Sequence, residues 1–288
     1  MIAHLLLATA LVAPPDSLPG VFVSTAWLSG HLGDPSVVIV HVDRDRKVFD
    51  AGHLPGARFL PLGAIVVTRD GLPNELPPVA QLDSVFESLG VTNESRVVFY
   101  GDPLGAARAF FTLDVLGHGD RAAILDGGLA QWRAEGRAVT TMAPVFSRGN
   151  FIPAPRTDVV VSADEVNRER LTRAAALLDA RPQDEYTGLK AGEGVPRPGH
   201  IPTATNLFWQ TLLVDGGTVL RPRDELTQRF AAAGAGGQPV VTYCRTGVQA
   251  SYLYAVARHL GLAPRLYDGS FIEWSRRGDL PVTLGPNP

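Results

Sequence analysis

Two stretches of this 288-residue chain, about half its length apart, carry the same landmarks in the same order, and no other feature restricts the fold as much. Gly52-His53-Leu54-Pro55 answers to Gly199-His200-Ile201-Pro202. Val97-Val98-Phe99-Tyr100-Gly101-Asp102 answers to Val240-Val241-Thr242-Tyr243-Cys244-Arg245. Leu125-Asp126-Gly127-Gly128 answers to Tyr267-Asp268-Gly269-Ser270, and six residues after each Asp stands a Trp, Trp132 and Trp274. The offset drifts from 147 to 143 to 142 residues, as it would between duplicated domains that differ by small loop insertions. Two tandem domains are therefore expected, at 19–141 and 156–286, each long enough to bury its own core. Residues 142–155, with Pro144, Gly149, Pro153 and Pro155, read as an extended linker.

Within each half, short continuous apolar runs such as Val37–Val40, Leu177-Leu178 and Val240-Val241 have the pattern of strands buried on both faces. Helical spacing follows at Asp83–Gly90, Asp224–Gly234 and Gln249–Leu260. Alternation of the two predicts an α/β fold, each domain a mostly parallel sheet flanked by helices on both faces. The ligand site of such a sheet lies beyond the carboxyl ends of its strands.

Cys244 falls at that place, where a strand read as Gly237–Tyr243 gives way to a helix. It is the only cysteine, which excludes an internal disulfide and a Cys-rich zinc site. A lone cysteine is commonly inert packing; the neighbours argue otherwise here. In Cys244-Arg245-Thr246-Gly247-Val248-Gln249 the first amides of a helix have no intrahelical partners and form an anion cradle, and Gly247 permits the tight turn. The same helix start is expected to lower the thiol pKa.

At this point the chain resembles the tandem-domain rhodaneses, the thiosulfate and 3-mercaptopyruvate sulfurtransferases, over nearly all of 19–286. The resemblance rests on the duplication, both Gly-His-(Leu/Ile)-Pro motifs, Asp179-Ala180-Arg181 before Tyr186, the Cys244 loop, and Asp268-Gly269-Ser270 with Trp274. It implies transfer of a sulfane sulfur from thiosulfate to a thiophile, cyanide or a thiol, through a Cys244 persulfide, with no cofactor. With no second cysteine the acceptor comes from outside. Arg245 favours thiosulfate, since the mercaptopyruvate branch tends to have a small residue there. Glu185, where mammalian-type members have a donor-holding Arg, weakens the mercaptopyruvate alternative. Gly101-Asp102-Pro103-Leu104 replaces the cysteine loop in the first half, which is expected to be a non-catalytic wall of the cleft.

The expected site is thus Cys244 as nucleophile, with Arg245, Thr246, Gly247, Val248, Gln249 and Arg181 binding the donor. Arg181 is expected at the cleft rim, where a carboxylate is its competing partner. Arg197 is a weaker rim candidate. His53, His200, Asp126, Asp268 and both paired Trp residues read as scaffolding, the Asp side chains bonding turn backbone. Thr203, where the family usually shows Gly, puts nothing catalytic in doubt.

Three other functions compete. A cysteine phosphatase or arsenate reductase needs an Arg six positions after the nucleophile, but position 250 is Ala. A non-enzymatic persulfide carrier is separated from an enzyme by whether free thiosulfate loads it quickly. A purely structural tandem domain has no use for an intact cysteine loop. The net charge of −3 provides no broad basic field for nucleic acid. The run Leu5–Ala13, ending before Pro14-Pro15, reads as a short export signal or a disordered tail and is too short to span a membrane. A periplasmic or secreted location is expected on that basis, with cytoplasmic as the alternative. A monomer is expected, because the duplication supplies the interface a homodimer would make.

Overall fold

A computed structural model describes residues 18–288. The apolar run Leu5–Ala13 lies outside the described residues. The first half contains β1 (Phe22–Val23), α1 (Thr25–Ser29), β2 (Val37–Asp43), α2 (Arg46–Asp50), β3 (Arg58–Pro61), β4 (Val67–Arg69), β5 (Leu72–Glu75), α3 (Val79–Ser88), β6 (Arg96–Gly101), α4 (Pro103–Val115), β7 (Ala122–Leu125) and α5 (Gly128–Ala134). The second contains β8 (Val160–Val161), α6 (Ala163–Thr172), β9 (Ala176–Asp179), α7 (Gln183–Thr187), β10 (Thr205–Asn206), α8 (Arg223–Ala232), β11 (Val240–Tyr243), α9 (Val248–His259), β12 (Pro264–Tyr267) and α10 (Ser270–Arg276).

The apolar runs form two parallel five-stranded sheets of matching order, β1-β7-β6-β2-β3 and β8-β12-β11-β9-β10, with helices on both faces. The central strands β6 and β11 are buried throughout apart from the last residue of β6, as continuous apolar runs require. The β11 strand begins at Val240, three residues later than its sequence suggests, because Pro239 has no amide for the ladder and contributes only its carbonyl, to Ala176 N. The α3 helix starts earlier than the apolar spacing implied: Pro78 sits in extended backbone just before it and starts the helix at Val79.

The halves meet through α4 and α9, each buried along most of its length. Phe111 meets Tyr254 edge-on at 4.9 Å, and the Tyr254 hydroxyl donates to the buried Asp114 carboxylate at 2.7 Å. Asp126 and Asp268 do bond backbone, but across this interface: Leu220 N donates to Asp126 at 2.7 Å and Leu76 N to Asp268 at 2.8 Å. The contact is reciprocal, as in a two-fold dimer joined into one chain. The repeated motifs match in detail. Each motif histidine stacks on an aromatic ring and faces carbonyls, His53 on Phe49 and His200 on Tyr186. Trp132 donates to Ala138 O and Trp274 to Pro281 O. Residues 143–156 carry no regular element but are strapped to the first half by Phe151, 3% exposed, and by amide bonds from Gly149, Ala154 and Arg156.

Candidate functional site

Cys244 stands where β11 ends, 1% exposed, with its loop held from beneath. Its amide donates to Ser270 Oγ at 3.3 Å, while Phe271 N donates to the Cys244 carbonyl and Ile272 N to that of Arg245. The Asp268-Gly269-Ser270 motif therefore supports the cysteine loop, a role the sequence reading left as general scaffolding. Gly247 caps α9 at φ 84, and a Cβ there would meet Asp268 Oδ1 at 2.9 Å and Arg108 Nη1 at 3.2 Å. Both the turn and the close approach require glycine.

The amides of Thr246, Gln249 and Ala250 point at the sulfur and pull its pKa down, but burial acts harder and pushes the thiol up. The expectation of a lowered thiol pKa is corrected on that point. Desolvation of the sulfur outweighs the helix-start amides, and the field of Asp179 acts in the same direction as burial.

Over Cys244 lies a cavity of about 170 Å³ lined by Arg44, Asn74, Leu104, Glu185, Cys244, Arg245, Thr246, Val248 and Gln249. Five of the expected residues are thus together. The first half supplies Arg44, Asn74 and Leu104. Asn74 sits just past the tip of the β4–β5 hairpin, which crosses to the second half, and its side-chain amide donates to Thr246 Oγ1 at 2.9 Å. Arg108 fixes the hairpin from α4, donating to Asn74 O at 2.7 Å and to Asp268 at 2.7 Å. No local sequence signal marks Asn74, because its partner is 172 residues away.

Arg181 is not at the rim. It is 1% exposed, its guanidinium is spent on Asp179 and the Gly199 carbonyl, and it lies over the Phe271 ring at 4.1 Å. A buried carboxylate needs a fixed counter-charge, and Asp179, itself 0% exposed, claims it. Arg197 is likewise committed, to the carbonyls of Trp274, Ser275, Arg277 and Leu280. Arg245 remains half-buried at the mouth, with Glu185 Oε1 at 3.7 Å. In the first half, the place of the cysteine loop is closed by its own acid: the Asp102 side chain accepts from Gly105 N at 3.0 Å and caps α4. Burial pushes the Asp102 carboxyl up. Among the described residues, no cluster of three or more His, Cys, Asp or Glu side chains could hold a metal ion, and no helix is long and apolar enough to cross a membrane.

One buried cysteine inside a ring of helix-start amides, walled by a second α/β domain of the same design, defines a tandem-domain protein with a single thiol site. The rhodanese-like domain model matches residues 24–135 and 162–277, and the chain belongs to the rhodanese family of sulfurtransferases. It is 34% identical to the thiosulfate sulfurtransferase of Azotobacter vinelandii, over 93% of this chain and 98% of that protein. It is 32% identical to the sulfur carrier protein TtuD of Thermus thermophilus, over 93% of this chain and 98% of that one. The crystal structure of SseA from Escherichia coli, described with the fold and mechanism of 3-mercaptopyruvate sulfotransferases, superposes with a TM-score of 0.77 at 29% identity, covering 87% of this chain and 98% of that one.

Proposed function

We propose that the protein moves a sulfane sulfur from thiosulfate to a thiophilic acceptor through a persulfide on Cys244. The observation that carries this reading is the convergence of Cys244, Thr246, Gln249 and the half-buried Arg245 on one small cavity, with the amides of Thr246, Gln249 and Ala250 directed at the sulfur. The Cys244 thiolate attacks the outer sulfur of thiosulfate, the donor S–S bond breaks, and its electron pair leaves with sulfite. The outer sulfur then rests on Cys244 within reach of the amide ring, which stabilises charge on it without reorganising. A thiol or cyanide attacks that sulfur and Cys244 leaves as thiolate, closing a two-step cycle. Because burial raises the thiol pKa, entry of the anionic donor must be matched by the amides and Arg245 before thiolate accumulates.

Glu185 weighs against mercaptopyruvate as donor, because it lines the cavity at a position where mammalian-type members of the family have a donor-holding Arg. The name of the Thermus relative supports a second reading, in which Cys244 carries the persulfide to a fixed partner. To test the proposal, purified protein and Cys244→Ser are incubated with thiosulfate or with 3-mercaptopyruvate, and the intact mass is recorded before and after cyanide, with thiocyanate assayed. A single added sulfur from thiosulfate, discharged by cyanide and absent in the variant, is the expected result. Loading from mercaptopyruvate alone would transfer the assignment to that donor, and loading from neither would leave the carrier.

A further inference from the structure

The cavity that holds the thiol contains an acid with no task in the reaction as derived. Glu185 is on α7, and its two carboxylate oxygens differ in their surroundings. Oε1 faces Arg245 at 3.7 Å, a loose pair without a hydrogen bond. Oε2 is buried and has no hydrogen-bond partner, and the same holds for Oε1 of Gln249, which lines the same cavity. Two buried acceptor oxygens beside the thiol ask for a ligand that brings N–H donors, because an unpaired buried acceptor costs roughly 1–3 kcal/mol. Thiosulfate and cyanide have none to give.

The carboxylate is also confined. A Cβ on Gly192 would lie 2.8 Å from Glu185 Oε2 and 2.7 Å from Arg245 Cδ, so the loop after α7 presses both side chains against the cavity. Other charges facing the space are Arg245 and, from the first half, the exposed Arg44. The neighbouring Asp184 is already paired with Lys190 outside the cavity. The mouth therefore has a cationic side suited to the donor anion and one carboxylate oxygen suited to a cation.

We propose that Glu185 is a cation-reading subsite of the Cys244 cavity, and that the acceptor it selects is a thiol bearing an ammonium group. This rests on the persulfide reading above and names its acceptor class. The acceptor sulfur forms a bond to the outer sulfur of the Cys244 persulfide, the S–S bond to Cys244 breaks, and its electron pair stays on Cys244 Sγ. Cys244–S–SH and an aminothiol become Cys244–SH and the aminothiol's hydropersulfide. Atoms and protons balance and no oxidant enters. During this exchange the ammonium group gives Glu185 Oε2 the hydrogen bond it lacks.

The subsite is read on the thiol itself with methanethiosulfonate reagents carrying an ammonioethyl or a sulfonatoethyl group. Each rate is divided by that reagent's rate with free 2-mercaptoethanol. Glu185→Gln keeps the shape and removes the charge, and the ammonium-to-sulfonate ratio is expected to fall on the order of tenfold, the cationic rate dropping and the anionic rate rising. Glu185→Lys is expected to lower it further. In parallel, persulfide loaded from thiosulfate is discharged with cysteamine or 2-mercaptoethanol, and the cysteamine preference is expected to vanish in Glu185→Gln. An unchanged ratio, or both reagents slowing together as a general loosening of the loop would cause, overturns the proposal. Loading failure with an intact charge-dependent ratio instead sinks the thiosulfate assignment, so the two readings fail separately.

Discussion

Thr203 holds a backbone conformation that its side chain opposes. Its φ is 74°, while the equivalent position in the first half is Gly56, at φ 76°. For a residue with a Cβ the left-handed region costs roughly 1–2 kcal/mol, and a β-branched side chain is at the upper end. The Thr203 hydroxyl makes no hydrogen bond among the described residues that would offset this. Replacing it by Gly removes the strain but adds freedom to the unfolded chain, worth about 0.4–1 kcal/mol in the opposite direction. The difference leaves Thr203→Gly more stable by about 0.5–1 kcal/mol, or about 2 °C in melting temperature for a chain of this size. The duplication supplies the reverse experiment: a Cβ on Gly56 would meet nothing within 4 Å, so Gly56→Thr introduces the backbone cost with no clash and should lose a comparable amount. Urea titration followed by tryptophan fluorescence, with calorimetry alongside, measures both. A Thr203→Gly protein no more stable than the parent, paired with a Gly56→Thr protein that is clearly destabilised, would refute the reasoning. It would mean that side-chain contacts of Thr203, rather than its backbone, decide the balance.

Arg181→Met strands the Asp179 carboxylate and should cost about 3–5 kcal/mol in chemical denaturation, while the remaining folded enzyme keeps its KM for thiosulfate; a raised KM at unchanged stability would return Arg181 to the donor site. Glu75, pressed at the domain interface near Asp268 and Glu273, has its carboxyl pushed up to about 7 by burial, with those two acids adding to it. Its unfolded value of 4.5 is lower, so the folded state holds the extra proton between these values, and the contribution of Glu75 to stability is full below pH 4.5 and lost as pH rises through 7. Glu75→Gln should accordingly gain about 1 kcal/mol over the parent at pH 8, after discounting for its partial solvent contact, and nothing at pH 4; equal curves at both pH values in urea titrations would contradict this.

What could be read from the residues alone was whatever repeats or lies close along the chain. The duplicated landmarks gave the two sheets, and the six residues from Cys244 to Gln249 gave the amide ring apart from Ala250, because a strand end and a helix start are local events. What escaped depends on distance in sequence. Arg181 was expected at the rim, with a carboxylate only as competitor, because the depth of Asp179 is set by β10 and β11 on either side of its strand. The direction of the thiol pKa was misjudged for the same reason: the helix-start amides are visible in the motif, whereas the burial that outweighs them involves residues distant in sequence, Ser270 and Phe271 under the loop and Asn74 and Leu104 across the cavity. Asn74 carried no signal, and Glu185 was noticed as a departure from the family pattern without its unpartnered oxygen being apparent.

The reciprocal interface has an evolutionary consequence. In a homodimer every substitution appears on both sides of the two-fold axis, so a residue suited to bearing sulfur must also serve as the wall opposite. Joining the halves into one chain lifts that coupling. Asp102 can close one cradle with its own carboxylate while Cys244 occupies the other, and Arg44, Asn74 and Leu104 can be chosen for how they face the thiol, not for how they would support one. The second half of the chain is thereby released to hold the thiol, and the first to wall the cavity over it.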